Sequence, residues 1–95
     1  MILYAVTARF RSGVEDRRKS LATDFGDHMR QPLMHIRLVG ALRGASGEHS
    51  GVHMLIEAED RAQLDRFLAQ SPYKQADLYA SIAIDELEIE AGSLN

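Results

Sequence analysis

Apolar positions at the start of the chain alternate with the period of a strand. Ile2, Tyr4, Val6 and Ala8 fall on one face, and Leu3, Ala5 and Thr7 on the other. Both faces are largely apolar, which predicts a sheet covered on both sides. After the turn "RSGVEDRR" the period changes: Leu21, Phe25, Met29, Pro32 or Leu33, and Ile36 recur at spacings of three and four, the stripe of a helix. Pro32 cannot donate to the helix ladder and is expected to kink or break it between Arg30 and Leu33. Gly40 is the expected helix end, followed by "ALRGAS" as a short second strand weakened by Gly44. "GEHSG" reads as a turn, and "GVHMLIEAE" alternates clearly, with Val52, Met54, Ile56 and Ala58 on one face. Asp60 and Gln63 have the spacing of a capping box and open a second helix with the stripe Leu64, Phe67 and Leu68. Ser71-Pro72 stops that helix. In the last strand, "LYASIAIDELEIE", Ile82 and Ile84 share a face whereas Leu87 and Ile89 take the other. That change of phase predicts a bulge near Asp85-Glu86, or a strand that leaves its own sheet to cover a neighbour's.

The order β-α-β-β-α-β is the split βαβ pattern of ferredoxin-like α+β domains, built on an antiparallel four-stranded sheet. Two helices cover one face of such a sheet. The opposite face would carry Leu3, Ala5, Thr7, Arg43, His53, Leu55, Leu87 and Ile89. This surface is too apolar to leave wet, so a second copy of the chain is the expected cover.

Composition narrows the partners. The 95 residues are the length of one domain, spanning 1–95, with 45% hydrophobic and 26% charged content. A net charge of -3 gives nucleic acid or an anionic membrane no purchase. The cluster Arg9, Arg11, Arg17, Arg18 and Lys19 is interleaved with Glu15 and Asp16, as on a solvated helix start. The absence of cysteine excludes disulfides, thiolate metal sites and a cysteine nucleophile, and fits a reducing compartment. "MILYAVTARF" has no basic n-region and is too short to span a bilayer, so a cytoplasmic location is expected.

The stretch "SPYKQADLYASIAI" resembles the signature of the YCII-related family, carried here by Ser71, Pro72, Tyr73, Ala76, Leu78 and Tyr79. "ILYAVTA" and its distance from that elbow also suit the family. The resemblance implies a dimeric α/β-barrel of two ferredoxin-like halves, with no cofactor. It also implies a histidine on the first helix, paired with an acid, in a pocket suited to proton transfer on ring-derived small molecules. His28 matches that histidine; Phe10 stands where the family has its acid, and Gly44-Ala45 where it has Gly-Pro.

Asp24 lies four residues before His28, so on a helix the side chains are neighbours. The carboxylate would orient a general base, or the two form an ordinary surface pair. Tyr73, fixed behind Pro72, either aims its hydroxyl into a cleft or staples the elbow onto the sheet. Phe10, Tyr73 and Arg43 complete the expected substrate site. A metal is not expected. His28 and His35 would sit roughly 10.5 Å apart along one helix, and His49 and His53 about 13 Å apart along one strand. Phosphate loops, nucleotide fingerprints and serine-nucleophile elbows are missing. Two readings follow. One is a cofactor-independent isomerase or lyase acting on a small organic acid or ring-derived metabolite. The other is a non-catalytic dimer that binds a small ligand or a protein. A cofactor-free monooxygenase, a third use of such barrels, has no positive mark in the sequence.

Overall fold

The computed structural model describes residues 1–94. Strand β1 (Ile2–Phe10) is followed by helix α1 (Glu15–Arg30), strands β2 (His35–Arg43) and β3 (His49–Ala58), helices α2 (Arg61–Ala69) and α3 (Pro72–Gln75), and strand β4 (Tyr79–Glu86). The strands form one antiparallel sheet in the order β2-β3-β1-β4. This is the ferredoxin-like β-α-β-β-α-β arrangement, with α3 as an added turn.

The core lies on the helix side. Tyr4, Val6 and Ala8 of β1 and Val52, Met54, Ile56 and Ala58 of β3 are buried there with Phe25, Met29, Leu64, Phe67 and Leu68 from the helices. Asp60 caps α2 as expected: its Oδ1 accepts from the Gln63 N–H at 2.8 Å, and Gln63 Oε1 accepts from the Glu59 N–H at 2.7 Å.

Two boundaries differ from the sequence reading. Pro32 ends α1 outright: Gln31 is already extended, and its Oε1 accepts from the Leu33 and Met34 N–H groups, turning the chain straight into β2. Gly40 is therefore a mid-strand residue opposite His53, and His35 opens a strand rather than sharing a helix with His28. The expected irregularity at Asp85-Glu86 is also absent, since both residues pair in register with β1. Alternation simply carries Leu87 to the face opposite Ile82 and Ile84.

The register breaks elsewhere. Arg9 pairs with Ser81 but Phe10 with Tyr79, which leaves Ala80 as an extra residue in β4. Leu42 pairs with Gly51 but Arg43 with His49, which leaves Ser50 extra in β3. An extra residue reverses the facing of those beyond it. Tyr79 and His49, which strict alternation would send away from the helices, are thereby turned toward them at the same end of the sheet.

Candidate functional site

That end of the sheet is closed by the elbow. Ser71 is extended, Pro72 opens the short α3, and Asp77 adopts φ 58° to reverse the chain. Arg11 holds the reversal, donating to the Asp77 carbonyl at 3.1 Å and to its carboxylate at 3.0 Å, while Arg17 donates to the Ala76 carbonyl at 2.9 Å. Part of the basic cluster thus fastens the elbow.

The elbow delivers Tyr73 into an aromatic box. Its ring stacks on Phe25 with centroids 4.2 Å apart and meets Phe10 edge-on at 5.5 Å, and Phe10 stacks on Tyr79 at 5.7 Å. Between this box and the β2–β3 end of the sheet lies a slot of about 180 Å³, lined by Phe10, Arg18, Phe25, His49, Gly51 and Tyr73 together with β2 backbone and side chains at 39–41. A cavity of about 150 Å³ accepts a benzene ring, so the slot has the size for one substituted six-membered ring.

Three groups give the slot its chemistry. Arg18 is held by Glu15 through two hydrogen bonds, Nε to Oε2 at 3.0 Å and Nη2 to Oε1 at 2.8 Å, which present its guanidinium in a fixed pose. Burial raises the Tyr73 phenol above its ordinary value and Arg18 beside it pulls it partly back, so at neutral pH the hydroxyl is a donor. His49 lines the slot and also an adjoining polar vestibule of about 330 Å³ with Arg11, Glu15 and Glu48. Tyr79 is structural: burial drives its phenol far upward, and its hydroxyl faces that of Ser71 without a well-formed hydrogen bond.

The structure brings together only some of the residues expected from sequence. Phe10 and Tyr73 share the slot. Arg43 does not reach it and instead donates to the Gly47 carbonyl at 3.0 Å within the β2–β3 hairpin. Arg18, overlooked because the basic run reads as a solvated face, takes that place. His28 lies in a different cleft, between α1 and α2, with Arg66 and Gln63. Its Nε2 is 3.0 Å from the Phe67 carbonyl and its ring stacks on Phe67 at 4.2 Å. Asp24 is exposed, and among the described residues no hydrogen bond or ion pair joins it to His28. Nor, among those residues, do three metal-ligating side chains converge, and no helix is long and apolar enough to cross a membrane.

No protein-family profile matches the chain, and no curated protein matches it in sequence. Solved structures do match it. The chain is similar to a 5-chloro-2-hydroxyhydroquinone dehydrochlorinase from Burkholderia phenoliruptrix in complex with 2,5-dihydroxybenzoquinone. The TM-score is 0.84 at 18% identity, over 92% of this chain and 94% of that one. It is also similar to a NIPSNAP domain protein from Burkholderia xenovorans, with TM-score 0.56 and 21% identity over 96% of each chain. A proposed antibiotic biosynthesis monooxygenase from Nitrosomonas europaea gives TM-score 0.54 and 12% identity, over 96% of this chain and all of that one (100%). At such identities the likeness establishes the fold, and the fold is the small ferredoxin-like α+β sheet that these proteins share.

Proposed function

We propose that this protein is a cofactor-independent enzyme of the isomerase or lyase type, acting on a small ring-derived molecule bound in the Phe10–Tyr73 slot. The observation that carries the reading is a convergence in one ring-sized cavity: aromatic faces from Phe10, Phe25 and Tyr73, the Arg18 guanidinium and a protonated phenol. Aromatic faces select a planar ring. A fixed cation and a hydroxyl donor aimed at one oxygen stabilise the enolate or phenolate that forms when a proton leaves a neighbouring carbon. Such chemistry needs only a base and an oxyanion partner. The dehydrochlorinase supports the choice of ring, since its complex contains a dihydroxyquinone. The YCII-related signature at the elbow belongs to the same proposal, as does a cytoplasmic location. Asp24 and His28, one exposed and the other engaged with Phe67, are given no part in it.

The proposed working form is a two-fold dimer. The face away from the helices carries Leu3, Ala5, Leu38, Leu42 and Leu55 around the Thr7–His53 pair, which is joined at 3.0 Å. Edge strand β2 is basic, with His35, Arg37 and Arg43, whereas the chain from Asp85 to Glu90 is acidic. Two copies packed face to face would set one edge against the other and close a barrel.

The direct test is binding of 2,5-dihydroxybenzoquinone by calorimetry. Tyr73→Phe is expected to weaken it about 10- to 100-fold, the loss of one hydrogen bond to a charged oxygen. Tight binding that survives both Tyr73→Phe and Phe10→Ala would contradict the assignment of the slot.

A further inference from the structure

We propose that His49 is the proton-transfer residue of this site, moving a proton between a cyclic carbonyl compound in the slot and the solvent-facing vestibule. The inference rests on the slot reading above and adds to it the acid-base group and the class of ring that group requires. Geometry separates the four histidines of the chain. His28 is engaged with Phe67 between the helices, His35 is paired with Glu57 at 3.2 Å, and His53 is bonded to Thr7 on the far face of the sheet. His49 alone lines the slot, and with Phe10 it forms the wall common to slot and vestibule.

Its place there follows from the bulge. Were Ser50 not extra in β3, His49 would face away from the helices in phase with His53. The charged and titratable groups around His49 come from several elements. Arg18 and Tyr73 line the slot with it, Arg11, Glu15 and Glu48 line the vestibule with it, and Arg43 is its register partner on β2. The Glu15 carboxylate is held below its ordinary value chiefly by its hydrogen bonds to Arg18. Glu15 is thus a positioning residue for the guanidinium, which it holds through two hydrogen bonds.

The step balances without an oxidant or a metal. His49 accepts a proton from a ring carbon beside a carbonyl. The C–H electron pair becomes the new C=C bond, and the carbonyl π pair moves onto oxygen, which Tyr73 and Arg18 stabilise. Return of the proton to the oxygen gives the enol tautomer; where the ring also carries a C=C beside the deprotonated carbon, that bond shifts and the proton returns to its far end, which completes an isomerisation.

The experiment uses cyclohexane-1,4-dione in D2O, with ring-proton exchange followed by 1H NMR and binding followed by 1H–15N shifts. The wild type is expected to accelerate exchange along a histidine titration. His49→Gln should lose about 100-fold or more of the protein-dependent rate, together with that pH limb, while slot shifts persist. His49→Ala is held to the same result, and His28→Gln should change neither rate nor profile. Exchange that survives both His49 variants while the dione remains bound overturns the inference alone, as does loss of the pH limb in His28→Gln. Absence of dione-induced shifts at the slot in the wild type overturns the slot reading beneath it.

Discussion

Tyr73 serves the fold and the site through one ring: its faces pack on Phe25 and Phe10 while its hydroxyl lies beside Arg18. Gly51 matters for a different reason. A Cβ there would run into the Ala8 carbonyl oxygen, which belongs to the paired backbone of β1 and cannot swing aside. Gly51→Ala is therefore expected to destabilise by about 1–3 kcal/mol, seen as a lowered Tm in thermal unfolding. Glu15 sets an acid limit. Hydrogen bonding from Arg18 lowers its pKa from the ordinary value of 4.5, so the folded state favours the carboxylate. Its contribution is present above that value and is lost as the pH falls through the lower folded one. Glu15→Gln should unfold more easily than wild type at pH 7, with the difference shrinking as the pH falls below 4.5. Phe10 and Tyr73 were legible in the sequence, one by its place in the family resemblance, where the acid would stand, and the other by the proline before it. His49 was not, because alternation groups it with His53 and nothing in "GEHSG" announces that Ser50 will be left unpaired. Arg18 was hidden in a charge run whose members differ only in what they touch.

At the scale of elements, caps and prolines spoke plainly. Asp60 does what its spacing with Gln63 predicts, and Asp60→Ala is expected to cost about 1 kcal/mol, or ~4–8 °C in Tm for a chain of this size. A loss near zero in a differential scanning experiment would mean that α2 is held by packing alone. Pro72 ended a helix where expected, whereas Pro32, expected to kink or break a helix running on to Gly40, ends it outright. The misread element was β2. Ile36 pairs with Ile56 and Leu38 with Leu55, so Arg37 is extra and Ile36 and Val39 both face the helices three residues apart. A bulged strand thus imitates helical spacing, and Gly40 then looks like a helix end. Bulges are where the sequence was hardest to read, and two of them, at Ser50 and Ala80, place residues around the slot.

For the molecule as a whole, the sheet leaves one face without helices, and the sequence showed this from the apolar alternation on both sides of β1. Leu38 on that face is 49% exposed, so a charge there would burden the proposed dimer more than the fold. Sedimentation velocity is expected to give a dimer for wild type and a monomer for Leu38→Glu, with unchanged circular dichroism; a wild-type monomer at micromolar concentration would contradict the barrel. Whether the slot takes a planar ring is decided by 1H–15N mapping of a panel of monocyclic quinones, phenols and cyclic diketones onto the labelled protein. Binding compounds are expected to shift the amides of Phe10, Gly51 and Tyr73 together. Shifts confined to the cleft of His28 and Arg66, or none with any planar ring, would contradict the slot reading.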